Sequence, residues 1–318
     1  MEISMERVME LIREKDNVLI LTHRNPDGDT LGCGTALCRL LLSLGKQARI
    51  ENSDVIPDKY DFLFEGIPEL DFVPEFIVAV DVADPKLLGD KLSCYADRVD
   101  LCIDHHPSNK MYARETHLRG DDGAACLTLY RIFKAMGADI TSGIATSLYT
   151  GISTDTGCFR YSNANPEAYR AAADLIELGA DNTNINIAMF ETKQLSYFRL
   201  LEEVLAGLRL FCDNQVAVFK VSQEMLTRAG ATEDSLDAIA PMSRQIAGVK
   251  LGVTMKQTVN GKYKFSLRTH EGLDASAIGA LLGGGGHARA AGTGVVEDEE
   301  AALQTILDYV SRELQCGI

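Results

Sequence analysis

Short apolar runs that stop on polar residues recur through the first half of the chain. Val18-Leu19-Ile20-Leu21, Phe76-Ile77-Val78-Ala79-Val80 and residues 99–103 read as strands, with Arg49-Ile50-Glu51 as a shorter one. Helical periodicity lies between them. Leu37, Leu40, Leu41 and Leu44 recur at i, i+3, i+4 and i+7. Residues 123–136 read as a helix closed by Gly137, and another runs from about Thr141 to Thr150. Pro166 opens a further helix, with Tyr169, Ala172, Ala173 and Ile176 along one face and Gly179 as its stop. Met5, Val8, Met9 and Ile12 share a face of an amphipathic N-terminal helix, which is not a signal peptide. Residues 53–75 look loop-like. The alternation predicts an α/β fold whose N-terminal part is a doubly wound, mostly parallel sheet covered on both faces.

The texture changes near Asn182. A linking helix is expected over 195–208, then a strand over Val216–Val221. Two alternating strands, 251–259 and Tyr263–Thr269, flank Asn260-Gly261, a strong hairpin signal. Asp274 caps a helix running to Leu282. A last strand near 292–296 and a helix over Glu299–Leu314 complete the pattern. The expected domains are 1–190, a linker over 191–212, and a smaller C-terminal α/β domain with a mixed sheet over 213–318.

Composition narrows the class. The 318 residues suffice for about two domains, and 46% apolar with 24% charged residues is ordinary for a globular protein. A net charge of −15 argues against gripping long duplex nucleic acid through a basic surface, but not against a small phosphorylated substrate. No apolar run reaches the length of a membrane span. The eight cysteines form no C-x-x-C pair and mostly sit in apolar patterns, which points to reduced thiols in a cytoplasmic protein.

The polar groups that end the strands carry the candidate chemistry. His23, Asp27 and Asp29 follow the first strand, Asp81 the third, and Asp104-His105-His106 the fourth, while Asp155 stands in a later polar segment. Ligands bind beyond the carboxyl ends of strands in open α/β sheets. In an extended loop Asp27 and Asp29 point the same way, with Gly28 supplying a turn most residues could not make. Taken singly, each motif has a bland reading: Asp27-Gly28-Asp29 as a polar turn, Asp81 as a helix cap, Ser153-Thr154-Asp155-Thr156 as turn chemistry. Together they suggest one shared site. Carboxylates and imidazoles without thiolates suit Mn²⁺, Mg²⁺ or a related hard-to-borderline ion such as Co²⁺ more than structural zinc, and Mn²⁺ is the ion expected. The number of ligands fits two divalent cations about 3.5–4 Å apart with a bridging carboxylate, as in phosphoesterases.

These motifs, in this order, resemble those of the DHH phosphoesterase family. Gly283-Gly284-Gly285-Gly286-His287-Ala288-Arg289-Ala290-Ala291-Gly292 resembles the signature of the DHH-associated domain, and Ser266-Leu267-Arg268 lies where that domain carries an arginine. The resemblance covers nearly the whole chain. It implies one metal on His23, Asp27 and Asp81, and another on Asp29, Asp81, His105 and Asp155. It also implies that Asp104 orients the histidines and that His106 faces the scissile phosphate. Arg268, Gly284, Gly285, Gly286, His287 and Arg289 would hold the rest of the substrate. The activity implied is hydrolysis of short single-stranded oligoribonucleotides to mononucleotides, and of the 3′-phosphate of 3′-phosphoadenosine 5′-phosphate, a nucleotide bisphosphate; the oligomeric state is left open, a homodimer being one option. A cyclic or linear dinucleotide phosphodiesterase and a non-catalytic nucleotide-binding regulator are the alternatives. Cys33, where a serine is common, and Ala124-Ala125-Cys126-Leu127, where a Ser-Thr-x-Glu pattern is common, depart from the family pattern.

Overall fold

The computed structural model describes residues 1–317 apart from 234 and 271. The chain divides into two compact units, Met1–Thr192 and Lys193–Ile318.

The first unit is built on a five-stranded, all-parallel sheet in the order β2-β1-β3-β4-β5. The strands are β1 (Val18–Leu21), β2 (Ala48–Glu51), β3 (Phe76–Val80), β4 (Leu101–Asp104) and β5 (Glu115–Leu118). β5 carries too short and polar a pattern to stand out in the sequence. All four β1 residues are at most 1% exposed, as expected for a strand covered on both faces. Alternate residues divide between two cores. Val18, Ile20, Val78, Val80, Leu101 and Ile103 pack with α1 (Met5–Glu14), α2 (Gly28–Ser43), α4 (Ala125–Met136), α5 (Ser142–Asp155) and α6 (Pro166–Glu177). Leu19, Leu21, Ile77, Ala79 and Cys102 face a thinner layer, the turns Pro85–Leu88 and Ser93–Arg98 with the one-turn helix α3 (Gly89–Leu92) between them. Each buried Val, Leu or Ile among them contributes about 1.5–3 kcal/mol by leaving water.

Several local expectations shift. Residues 53–75 contain a 3-10 turn, Asp58–Leu63, whose Tyr60 and Leu63 are buried. α6 buries Ala168, Ala171, Ala172 and Leu175, whereas Tyr169, Ala173 and Ile176 are exposed. The small residues turn inward because they allow close helix packing, so the buried face lies one position away from the one read by residue size. Leu44 lies just past α2 and is exposed. α5 continues through Asp155, so that carboxylate ends a helix.

The second unit follows the one-turn helix α7 (Asn182–Asn186) of the first. It begins with α8 (Leu195–Ala206), whose Tyr197, Leu200 and Val204 pack on Phe219 and Val221. Its mixed sheet has the order β10-β11-β9-β8-β7-β6. The strands are β6 (Arg209–Phe211), β7 (Val216–Val221), β8 (Leu251–Gln257), β9 (Tyr263–Thr269), β10 (Gly285–His287) and β11 (Ala290–Gly292). One face meets α11 (Ala275–Ala280) and α12 (Glu299–Leu314). The other meets α8, α9 (Gln223–Ala229) and α10 (Ser235–Ile239). β9 alternates buried and open positions, but β8 is buried at five consecutive residues. The turn Ala240–Arg244 covers the second face of β8, so closely that a Cβ on Gly252 would lie 2.1 Å from Ser243 Oγ. The β8–β9 hairpin turns at Gly261, with φ +78°. The last strand lies earlier than 292–296. Gly294 N–H turns away to Leu282 O, leaving Val296 only an isolated bridge to Tyr263.

Candidate metal centre

Strand order places the site. The sheet reverses direction of growth at β1, so the ends of β1 and β3 flank the topological switch point where open α/β sheets form a crevice. His23, Asp27 and Asp29 follow β1, Asp81 ends β3, and His105 and His106 follow β4.

The β1 loop is not extended. Asp27 is the N-cap of α2 and accepts from the Asp29 and Thr30 N–H groups at 3.0 and 3.1 Å. Asp29 lies in the first helical turn, where the helix dipole favours a carboxylate. The two acids therefore diverge. Asp27 meets His23, while Asp29 faces His105. Gly28 takes no left-handed turn. Its role is close approach, since a Cβ there would lie 2.3 Å from Thr154 Oγ1.

Three groups of side chains interlock: His23, Asp27 and Asp81; Asp81, His105 and His106; and Asp29, His105 and Asp155, with one ligand atom per residue and the atoms of each group within 4.8 Å of one another. His23 Nε2 lies 3.6 Å from Asp27 Oδ1 and 3.5 Å from Asp81 Oδ2. His105 Nε2 lies 3.6 Å from Asp81 Oδ1, 3.6 Å from Asp155 Oδ2 and 3.8 Å from Asp29 Oδ2. Asp81 leaves its strand with φ +58°, a left-handed conformation that costs a non-glycine residue about 1–3 kcal/mol.

The imidazoles are held by their other nitrogens. His23 Nδ1 lies 2.8 Å from Arg24 O, and His105 Nδ1 lies 3.0 Å from Asp122 O. A carbonyl only accepts, so each Nδ1 carries a hydrogen, and loss of the Nε2 proton frees Nε2 as a ligand atom. Asp104 is fully buried and fully used. Its Oδ1 accepts from His105 N, His106 N and His106 Nδ1 at 2.8, 3.3 and 2.9 Å, and its Oδ2 accepts from Asn109 Nδ2 at 2.6 Å.

Supporting residues that sequence reading missed are now visible. Thr30 Oγ1 accepts from His23 N and donates to Val80 O, tying the loop to β3. Asn52 Nδ2 donates to His23 O at 2.8 Å. Asn109 and Asp122 hold the histidine pair. Only Asn109, five residues past Asp104, offered a signal, and a weak one.

The electrostatics describe a site short of positive charge. Burial and the facing Asp29 push the Asp81 carboxyl up to about 7. Burial beside Asp29 likewise raises Asp155 well above the carboxylate range. Burial alone would lower His23, but Asp27 and Asp81 outweigh it and hold the ring at about 11. Burial opposes charge on His106 too, yet Asp104 and Asp81 hold it at about 9. Asp81 Oδ1 and His105 Nε2 are buried without hydrogen-bond partners, 3.6 Å apart. Orphaned buried polar atoms are costly, and a cation between them satisfies both. The donor set of carboxylates and imidazoles fits hard-to-borderline divalent ions.

The candidate residues of the second unit gather on its β9–β11–β10 edge. Arg268 pairs with Ala290, and His287 is exposed on β10. Arg289 Nη1 donates to His270 O and Leu273 O at 2.5 and 3.3 Å. The glycines have separate causes. Gly283 has φ +69°. A Cβ on Gly284 would lie 2.0 Å from Gly292 O, and one on Gly286, 2.7 Å from Ala290 O. Gly285 alone among the three site glycines faces open space.

Residues 17–152 match the DHH family, N-terminal domain, and residues 213–315 match the DHHA1 domain. A Thermus thermophilus protein named bifunctional oligoribonuclease and PAP phosphatase NrnA is 30% identical over 320 residues, covering 98% of this chain and 94% of that one. The crystal structure of an exopolyphosphatase-related protein from Bacteroides fragilis superposes with TM-score 0.88 at 22% identity, over 98% of this chain and 97% of that one. RecJ from Thermus thermophilus in complex with Mn²⁺ superposes with TM-score 0.55 at 16% identity, over 97% of this chain and 55% of that one. Sequence similarity of 30% along almost the full length of both chains, with both family domains matched in order, makes this chain a member of the DHH phosphoesterase family.

Proposed function

We propose that this chain is a two-metal phosphoesterase that hydrolyses short oligoribonucleotides to mononucleotides and removes the 3′-phosphate of 3′-phosphoadenosine 5′-phosphate. The observation that carries the reading is the orphaned pair Asp81 Oδ1 and His105 Nε2 at the junction of three overlapping ligand groups. The name borne by the Thermus relative supports the substrate class. The manganese in the RecJ structure supports Mn²⁺ as the ion.

His23, Asp27 and Asp81 would hold one divalent ion, and Asp29, Asp81, His105 and Asp155 would hold the other. When bound, the divalent cations neutralise the phosphate's negative charge and acidify a water molecule. His106 stays protonated near neutral pH because Asp104 fixes its Nδ1, so its Nε2–H can donate to a phosphate oxygen or leaving group. Asp104 is a positioning residue. Arg268, His287, Arg289 and the hairpin backbone at Gly285 and Gly286 offer donors suited to an anionic group of the substrate, whereas the Gly284 N–H is taken by Gly279 O. The eight free thiols suit a reducing, cytoplasmic setting. Among the described residues no helix is long and apolar enough to cross a membrane.

The test is a rate comparison on a diribonucleotide, a long single strand, 3′-phosphoadenosine 5′-phosphate and pyrophosphate, with Mn²⁺, Mg²⁺ or a chelator. Fast turnover of the first and third with Mn²⁺ supports the proposal. Preference for pyrophosphate or the long strand, or tight nucleotide binding without turnover in any ion, rejects it.

A further inference from the structure

Two buried cysteines from separate helices are in contact. Cys33 on α2 and Cys126 on α4 place their sulfurs 3.4 Å apart, and both side chains are wholly buried. They stand behind Asp29, which faces two ways. Its Oδ2 lies toward His105 Nε2 and accepts from Ala125 N at 2.6 Å. Its Oδ1 lies 3.8 Å from Cys33 Sγ and accepts from Cys126 N at 2.9 Å. Cys126 Sγ also lies 3.5 Å from the Asp29 carbonyl. Gly151 makes the space, since a Cβ there would lie 2.3 Å from Cys126 Sγ and 2.6 Å from Asp29 Oδ1. Asp29, Cys33 and Cys126 thus each present a ligand atom within 4.8 Å of the others.

We infer that Cys33, Cys126 and Asp29 form a separate site for one thiophilic cation of the Cd²⁺ or Zn²⁺ class. Two sulfurs and one carboxylate oxygen select soft-to-borderline ions, whereas the neighbouring oxygen and imidazole groups suit harder ones. On binding, each thiol gives its proton to solvent and each sulfur forms a bond to the ion, with no change of oxidation state. The site shares Asp29 with the centre described above. A positive charge on Oδ1 weakens the hold of Oδ2 on a hard ion, and by linkage the hard ion weakens thiophilic binding equally. The sulfur site stands without the proposed hydrolytic activity. The antagonism rests on the proposed ligand role of Asp29.

The full-length protein is titrated with Cd²⁺ alone, following the ultraviolet sulfur-to-cadmium charge-transfer band. A band that is present in the wild type and in Cys38→Ser and Cys212→Ser, and that falls in the Cys33→Ser/Cys126→Ser double variant, supports the site. A band that is absent in the wild type, or undiminished in the double variant, overturns it. Cadmium NMR of the wild type needs no variant: a mixed sulfur–oxygen resonance is expected, and only all-oxygen or all-sulfur resonances overturn the assignment. Mn²⁺ binding is then read by electron paramagnetic resonance. With Cd²⁺ present the wild type should lose about tenfold in Mn²⁺ affinity. Unchanged Mn²⁺ affinity beside a clear charge-transfer band removes the antagonism and leaves the sulfur site standing. Neither readout depends on turnover, so failure of the hydrolytic reading gives a different result from failure of this one.

Discussion

Asp81 and His105 sit behind the strand ends of the first unit, with side chains 3% and 11% exposed, whereas His287 and Arg289 stand on an open hairpin in the second. In the first unit, charge is concentrated by burial. Each carboxylate raises the proton affinity of its neighbours, and each imidazole is fixed through its far nitrogen. In the second, Arg289 is anchored by backbone carbonyls and the glycines serve hairpin packing. A buried anionic cluster stores a large electrostatic cost that a cation relieves. An exposed cationic edge stores little, so its proposed part is substrate grip and not chemistry.

The largest break in this contrast should come from Asp81→Asn. It removes the carboxylate shared by two ligand groups, so several kcal/mol of transition-state stabilisation disappears, about a thousandfold in kcat/KM. The metal-free protein should change little in thermal stability, because relief of the repulsion from Asp29 offsets the lost pairing with His23. An inactive variant that also melts well below wild type would point to a structural role instead.

Asp104→Asn comes next. Among the described residues the Asp104 carboxylate bonds to the two histidines and Asn109, so a loss of about 10–100-fold is expected, as for a residue supporting a ligand. The diagnostic readout is the pH profile. Asp104 is the main group holding the His106 ring at about 9 against burial. Its removal moves that value down, and the alkaline limb of activity should move to lower pH with it. A uniform loss with an unmoved limb would mean that His106 does not supply the proton.

Much of the first unit was legible because buried parallel strands are nearly continuous apolar runs. Val18–Leu21 and Phe76–Val80 have the bounds their sequence suggests. The strand-end motifs were equally plain, since polar groups rarely interrupt such runs without cause. What escaped depended on tertiary contact. Gly28 looked like a turn glycine and is a packing glycine, required by Thr154 more than a hundred positions away in sequence. Asp155 looked like turn chemistry because Ser153-Thr154 are poor helix formers, yet α5 is held by burial against α2 and α4. Cys33 and Cys126 each read as a local departure, and only the fold makes them a pair.

The pH dependence of stability sharpens the contrast further. His23 and His106 have folded values of about 11 and 9, above the ordinary 6.5. Their contribution is therefore full below pH 6.5 and is lost as pH rises through the folded values. Asp81, raised from 3.8 to about 7, has the same sign, since its folded preference for the proton is lost over that interval. In chelator, the melting temperature should fall as pH goes from 6.5 to 9. Mn²⁺ would displace the His23 and Asp81 protons but not that of His106, so its apparent affinity should rise by about tenfold per pH unit for each proton displaced. The gap in melting temperature between Mn²⁺ and chelator should widen with pH, and a gap independent of pH would mean the ion binds elsewhere.

The smallest effect separates packing from grip within the second unit. Gly284→Ala forces a Cβ to 2.0 Å from Gly292 O, a backbone atom that cannot swing aside. It should destabilise the unit by about 1–3 kcal/mol, with the β10–β11 hairpin displaced. Gly285→Ala meets open space, has no left-handed backbone to strain, and should leave the melting temperature unchanged. If the Gly285 N–H lies against substrate, the added methyl should raise KM a few-fold while kcat holds, because the reacting atoms are gripped elsewhere. Equal KM for Gly285→Ala and wild type would confine the hairpin glycines to a packing role and leave substrate grip to Arg268, His287 and Arg289.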